Sequence, residues 1–294
     1  MELLHGGGAF FEAPRWWQGS WYVSDFFKHD VLRIGADGSV EGVAVVGGQP
    51  SGLGWMPDGS LLIVSMNDRR VLRRWPDGSV TEHANLDALI SGPANDMVVD
   101  ALGGAYVSSF GFDYYGGASP RATRIIRVDP DGSARMVGTE VAAPNGMVIS
   151  EHGSTLIAAE TLGARLSAWT ISASGDLTDH RIWAQLGPAP VLDAPDTVFG
   201  AAFAPDGCAL DAEGDVWVAD ALHGRVCRVA PDGRVVDQRA APDGLGAYAC
   251  ALGGTDGKTL AICVSSSFLQ GPCLAARDAA LVAVEVEVPG AGLS

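Results

Sequence analysis

Three short segment types recur six times each along this chain, and no other feature limits its fold so tightly. The first type is a turn followed by a half-apolar strand. It occurs at Phe11–Trp16, Pro50–Trp55, Ala94–Val99, Pro144–Ile149, Pro205–Leu210 and Gly246–Ala251. The second is an apolar strand, at 21–26, 61–66, 104–110, 155–161, 215–221 and 259–266. The third follows at 31–34, 71–74, 125–128, 166–169, 226–229 and 281–284. Asp-Gly or a relative separates the first two types, as in Asp58-Gly59, His152-Gly153, Glu213-Gly214 and Asp256-Gly257. Further Asp-Gly turns follow the third type (Asp37-Gly38, Asp77-Gly78, Asp131-Gly132, Asp232-Gly233) and lead into a fourth strand. Glycine accepts the positive φ of a tight hairpin, so apolar runs flanking Asp-Gly read as hairpins.

Four antiparallel strands, repeated six times every 40–60 residues, are the arithmetic of an all-β, six-bladed β-propeller filling 1–294 as a single domain. Radial closure hides strand edges that would otherwise aggregate. A β-sandwich with generic turns leaves the six-fold recurrence unexplained. An N-terminal strand joining the last blade would close the ring, but the repeat pattern leaves that open.

Composition removes several classes of function. Nineteen Lys+Arg against 35 Asp+Glu give a formal charge of −16. That balance argues against nucleic acid or an anionic membrane as a partner, since both demand basic patches. The longest basic cluster, Arg69, Arg70, Arg73 and Arg74, is short. The chain is 47% hydrophobic and 18% charged, so it is no disordered polyelectrolyte. Its 39 glycines and 16 prolines suit many short strands. Five cysteines (Cys208, Cys227, Cys250, Cys263, Cys273), without a CxxC pair, fit a reduced cytoplasmic setting better than a disulfide framework or zinc-thiolate site. Met1–Phe11 has no basic, apolar leader, and no run is long enough to span a membrane. The expected partner is a small-molecule substrate, and the expected assembly a monomer or small homo-oligomer.

In a propeller the first strand of each blade lines the central channel, and the starts of those strands converge on one mouth. That position holds Glu12, Ser51, Asn95, Asn145, Asp206 and the Ala247-Tyr248 pair. Packing alone does not select two carboxylates and two amides there, because a buried carboxylate is costly unless paired or bound to metal. An oxygen-only donor set suits Ca²⁺, Mg²⁺ or Mn²⁺ and tolerates Zn²⁺ or Fe²⁺. Taken singly, Pro144-Asn145-Gly146 and Pro205-Asp206-Gly207 also read as ordinary turns. Their register ahead of first-type strands distinguishes them from the other Asp-Gly pairs.

These residues carry a resemblance. The chain is similar over essentially its whole length to the senescence marker protein / gluconolactonase / luciferin-regenerating enzyme family, which includes regucalcin. The match rests on Glu12-Ala13-Pro14-Arg15-Trp16, Ser51-Gly52-Leu53-Gly54, Asn95-Asp96, Pro144-Asn145-Gly146, Pro205-Asp206-Gly207 and the stretch Leu210–Ala219. The resemblance implies a six-bladed propeller with one divalent cation, calcium first, held by Glu12, Asn145 and Asp206. It implies that Asn95 contacts substrate or metal-bound water, that Asp206 also serves as general base, and that the reaction is hydrolysis of a lactone, commonly a sugar lactone. Ser51, Phe110, Phe112 and Tyr248 complete the expected substrate-binding set.

One departure bears on the substrate. Sugar-lactone members commonly carry Arg two residues before the substrate Asn, whereas this chain has Pro93. Phe110-Gly111-Phe112-Asp113-Tyr114-Tyr115 follows, and over the channel mouth it would make a pocket more apolar than a sugar site; packed between blades it would not. The insert Val191–Ala204, with Asp193, Asp196 and Phe199, is a second candidate lid or a plain surface loop. Asp25, Glu160 and Asp220 close second-type strands near the mouth and read either as supports for the site residues or as loop-end acceptors.

Other chemistries fit less well. There is no G-x-S-x-G elbow, HExxH, P-loop or GxGxxG context. Cys208, two residues past Asp206, reads as a core residue or as a nucleophile sharing its face. The six histidines are scattered and none is expected to bind metal. Phosphotriester hydrolysis, aldol-type or hydration chemistry on the same cation remains an alternative, as does a non-catalytic calcium- or ligand-binding propeller.

Overall fold

The structure, a computed structural model, describes residues 1–150, 152–191 and 199–292. Six four-stranded antiparallel sheets succeed one another along the chain and close into a ring, a six-bladed β-propeller. Blade one runs Phe11–Trp17, Ser20–Asp25, Asp30–Gly35 and Val40–Val45 from axis to rim, and blade two runs Pro50–Trp55, Leu61–Ser65, Arg70–Arg74 and Val80–Asn85. Blades three, four and five begin at the axis with Ala94–Val99, Pro144–Ile149 and Pro205–Leu210. Blade six has Gly246–Gly253, Thr259–Ser265 and Ala279–Glu285, and its rim strand is Glu2–Gly8 from the other end of the chain. The sequence shows no turn and fourth strand after 281–284 because the N-terminus supplies that strand.

The Asp-Gly turns fold as expected and carry an added clasp. In four of them the Asp carboxylate accepts the backbone N–H of the Ser two residues on: Asp37 with Ser39 and Asp58 with Ser60 at 3.0 Å, Asp77 with Ser79 and Asp131 with Ser133 at 2.9 Å. The intervening Gly38 and Gly78 stand at φ 79° and 91°, where only glycine is comfortable. The basic cluster is consumed locally: Arg69 pairs with Asp87, Arg70 with Glu82 and Arg73 with Asp58, and Arg74 donates to the Val43 carbonyl.

Neighbouring blades are joined by apolar faces. Tyr106 and Ile125 of blade three pack with Met147, Leu156 and Trp169 of blade four. Trp217 and Val226 of blade five pack with Leu252, Leu260 and Ile262 of blade six. Burying a large aliphatic side chain contributes roughly 1.5–3 kcal/mol, so six such seams hold the ring.

Each innermost strand carries one extra residue relative to its neighbour, at equivalent places: between Glu12 and Arg15, Pro50 and Leu53, Ala94 and Met97, Pro144 and Met147, Pro205 and Cys208, and Ala247 and Ala249. A bulge bends the strand and re-aims the side chains within it. The Asn-Gly and Asp-Gly pairs at 145–146 and 206–207 therefore lie in bulged strand, not in turns. Their glycines serve close approach: a Cβ on Gly146 would stand 2.7 Å from the Cys208 nitrogen, and one on Gly207 would stand 2.6 Å from Ala249 Cα.

Candidate active site

The bulges of blades one, three, four, five and six open onto one cavity of about 140 Å³ at the mouth where the inner strands begin. Its charged and amide side chains are Glu12, Asn95, Asn145 and Asp206, from blades one, three, four and five. Asn95 and Asp206 are buried, and Glu12 and Asn145 half-buried. A directed chain of hydrogen bonds fixes the amides. Ser51 Oγ donates to Asn95 Oδ1 (3.3 Å), Asn95 Nδ2 to Asn145 Oδ1 (3.0 Å), Asn145 Nδ2 to Thr161 Oγ1 (3.2 Å), and Thr161 Oγ1 to the Pro205 carbonyl (2.7 Å). Asn145 also hydrogen-bonds the Asp206 carboxylate. An amide oxygen has two lone pairs, so Asn145 Oδ1 keeps one for a ligand.

The two carboxylates are only partly compensated. Desolvation pushes Glu12 well above the ordinary carboxylate range, and the Asp206 and Asp96 charges push further, with Arg15 opposing. Asp206 is also held well above its usual range by desolvation and then by Asp96, against hydrogen bonds from Asn145 and the Gly207 N–H. No Lys, Arg or His is among the described residues lining the cavity. Two acids that repel each other with no cationic side chain among the described lining residues, beside an amide oxygen with a spare lone pair, are a donor set that a hard divalent cation fits. Among the described residues no group of three or more His, Cys, Asp or Glu is placed to hold a metal, so the amides would have to complete the coordination.

The walls are aromatic. Phe110, Phe112, Tyr114 and Tyr115 all line the cavity, so the 110–115 loop covers the mouth. Phe112 also packs with Ala143, Leu162 and Ala204, and Phe110 N–H donates to the Pro93 carbonyl at 3.2 Å, so Pro93 anchors the loop. Tyr248 lines the cavity and meets Phe10 edge-on at 4.9 Å. Phe10, Phe26, Thr161, Leu162 and Phe268 are lining residues that sequence reasoning missed. Their one available signal was position, immediately before an inner strand or just after a second strand.

Other expectations resolve differently. Ser51 does not line the cavity; its hydroxyl turns to Asn95 and acts from behind it. Asp25, Glu160 and Asp220 do not line it either. They are loop-end acceptors, taking the N–H groups of Ala9 (2.9 Å), Ala142 (2.9 Å) and Ala204 (3.2 Å), and so pin the segments that lead into the inner strands. Asp193 and Asp196 lie outside the described residues, whereas Phe199 lines the cavity and stacks on Phe268 at 6.0 Å. None of the histidines lines the cavity.

Five inner strands also reach a second cavity, of about 150 Å³, at their far ends, lined among others by Arg15, Val98, Met147, Cys208 and Ala251. Cys208 is buried there, and desolvation raises its thiol far above the ordinary range. Arg15 is fully engaged: it donates to Asp96 Oδ1 (3.0 Å) and to the carbonyls of Met97 (2.8 Å), Leu53 (3.1 Å) and Pro14 (2.9 Å). The segment at Pro289–Ala291 crosses this end, tied to Ala212 and Leu210 by backbone hydrogen bonds of 2.9 and 3.0 Å.

Comparison with known proteins gives the following. The sequence profile of the SMP-30/Gluconolactonase/LRE-like region matches residues 10–266. The chain is 28% identical over 169 residues to a 6-deoxy-6-sulfogluconolactonase of Pseudomonas putida, covering 57% of this chain and 54% of that protein. It is 28% identical over 178 residues to pentonolactonase XacC of Haloferax volcanii, covering 60% and 54%. The matched region thus spans about half the length of these curated relatives. Among solved structures, a calcium-binding protein, regucalcin, of Agrobacterium tumefaciens superimposes with a TM-score of 0.79 at 21% identity, over 98% of this chain and 94% of that one.

Proposed function

The chain belongs to the SMP-30/gluconolactonase/LRE-like family, and from that premise we propose that it hydrolyses a lactone to a hydroxy acid with a divalent cation held by Glu12, Asn145 and Asp206. The observation that carries this reading is the convergence of two only partly compensated carboxylates and two oriented amides on the floor of an otherwise apolar cavity. The relatives named for gluconolactone and pentonolactone support the reaction class. Calcium suits an all-oxygen set of mixed carboxylate and amide donors best; magnesium, manganese, zinc and iron are the alternatives. When bound, such a cation supplies positive charge for the lactone carbonyl oxygen as it becomes an oxyanion.

The rest of the chemistry falls to the chain itself. Asp206, a carboxylate at the floor of the cavity, is placed to take the proton of the attacking water. Asn95 gives one amide hydrogen to Asn145 and keeps the second for the substrate. The chain from Ser51 to Pro205 fixes which end of each amide faces which partner. The aromatic walls keep bulk water from the floor and make the substrate less sugar-like than a gluconolactone. Five unpaired, buried cysteines suit a reducing cytoplasmic setting.

The deciding experiment is acid release in weak buffer from sugar, aliphatic and aromatic lactones, before chelation, after it, and with each cation restored. The expected result is lactone-dependent acid release that chelation abolishes and a cation restores. Silence on every lactone, with a cation demonstrably bound, overturns the reading and moves the search to phosphotriesters or to a binding role.

A further inference from the structure

We infer that the cavity selects uncharged lactones that carry, or are fused to, an aromatic ring, and that Tyr115 and Phe199 are specificity-determining walls. This rests on the lactone-opening reading above and names its substrate class.

Three observations carry it. The first is the character of the lining: nine of the nineteen described residues that form it are Phe or Tyr. Phe110 and Tyr114 meet edge-on at 6.5 Å, Tyr114 and Tyr115 at 5.4 Å, and Phe199 stacks on Phe268, which in turn meets Tyr248 edge-on at 6.3 Å. Such groups favour another ring, which they meet by offset stacking or edge-to-face contact. The second is size. The cavity is about 140 Å³, and an apolar cavity of about 150 Å³ accommodates one benzene ring. The third is the placement of polar groups. Three tyrosine hydroxyls aside, the polar side chains lining the cavity among the described residues are Glu12, Asn95, Asn145, Thr161 and Asp206. Asn95, Asn145 and Thr161 are largely spent on one another, and Thr161 gives its hydrogen to Pro205. The ring hydroxyls of a sugar lactone would face aromatic carbon with few partners, and a buried unpaired hydroxyl opposes binding. Among the described lining residues, a carboxylate, phosphate or sulfonate substituent would meet two acids and no cationic side chain.

The test compares three six-membered lactones on the intact protein: dihydrocoumarin, δ-valerolactone and glucono-δ-lactone. In parallel, calorimetry measures binding of the inert ring analogues 1-tetralone, cyclohexanone and myo-inositol. The expected order of kcat/KM places dihydrocoumarin about ten-fold or more above δ-valerolactone, with glucono-δ-lactone last. Tetralone should bind tightest of the three analogues. Tyr115→Ala and Phe199→Ala, at side chains 46% and 52% exposed and so tolerant of change, should each lower the dihydrocoumarin-to-valerolactone ratio roughly five- to ten-fold. Turnover of glucono-δ-lactone at or above the aryl lactone, tighter inositol than tetralone, or an unmoved ratio in both variants overturns the inference. If no lactone is opened while tetralone still binds best and both variants weaken it, the lactone-opening reading falls and the aryl selectivity stands.

Discussion

The inner strands run from one cavity to another, and the two ends treat charge in opposite ways. At the far end Arg15 meets a carboxylate and three backbone carbonyls, and a crossing segment of the chain covers the opening. At the near end Glu12 and Asp206 face each other's charge with no cationic side chain among the described lining residues, under a roof of aromatic rings. The far end is finished as a piece of protein. The near end is electrostatically complete only with something added. The fold pays for that incompleteness with the six seams between blades, and it is the lack of satisfaction, not the mere presence of polar groups, that marks the working end.

The contrast makes opposite forecasts for two substitutions. Asp206→Asn removes a proton acceptor and should lower kcat/KM by about 10²–10⁴-fold, while thermal stability without added cation holds or rises because a repulsive carboxylate is gone. Arg15→Met leaves Asp96 buried and unpaired, and should cost about 3–5 kcal/mol of stability by denaturant melts. If Asp206→Asn loses as much stability as Arg15→Met, the two ends are not different in kind.

The pH dependence of stability tests the same contrast without mutation. Glu12 and Asp206 have folded pKa values raised above the unfolded ones. Their contribution is therefore fully present below the ordinary carboxylate range and is lost as pH rises through the raised values. In chelator the melting temperature should fall from pH 5 towards pH 8, and Glu12→Gln should flatten the slope. A divalent cation at about 100-fold its Kd should add about 2.7 kcal/mol at the upper end, because it favours the ionised pair. A chelated protein whose stability rises steadily from pH 5 to pH 8 would show that the acids are already compensated.

How far the sequence reached follows from the same geometry. The ring was legible because a blade is a local repeat: hairpin turns and strand composition are written in adjacent residues. The floor was legible because Glu12, Asn95, Asn145 and Asp206 occupy one repeat position, and a polar residue there stands out against apolar neighbours. The bulges were not, since an extra residue in a strand leaves no mark in composition, and Pro144-Asn145-Gly146 looks the same in a turn. Phe10, Phe26 and Phe268 were missed because they sit outside the strands, the first two beside strands of blade one and the third in blade six, where only closure of the ring brings them together. Ser51 shared the repeat position but not the cavity, as its hydroxyl is already given to Asn95.

That last point gives a smaller, graded forecast. Ser51→Ala removes the first link of the chain that orients Asn95 and Asn145, without removing anything that lines the cavity. We expect kcat/KM to fall about ten-fold, the weight of one neutral hydrogen bond of about 1–1.5 kcal/mol, with Ser51→Thr restoring much of it. The loss should appear in kcat more than in KM if the amides act on the reacting group. An equal loss for Ser51→Ala and Ser51→Thr would mean that the site is perturbed by packing and that the hydroxyl does not orient it.

The smallest expected effect is also the sharpest divider of the two ends. Cys208 lies two residues past Asp206 on the same strand, a distance of about 6–7 Å at strand rise. That step carries it out of the near cavity and into the lining of the far one. Its thiol is buried, and the surroundings oppose the thiolate that nucleophilic attack requires. Cys208→Ala should therefore leave kcat/KM within about two-fold of the parent while costing on the order of 1 kcal/mol for the lost packing. A loss of activity comparable to that of Asp206→Asn, in a variant still folded by circular dichroism, would place the chemistry on the thiol and erase the boundary between the ends. Retained activity with a modest drop in stability would confine the reacting groups to the mouth where the inner strands begin.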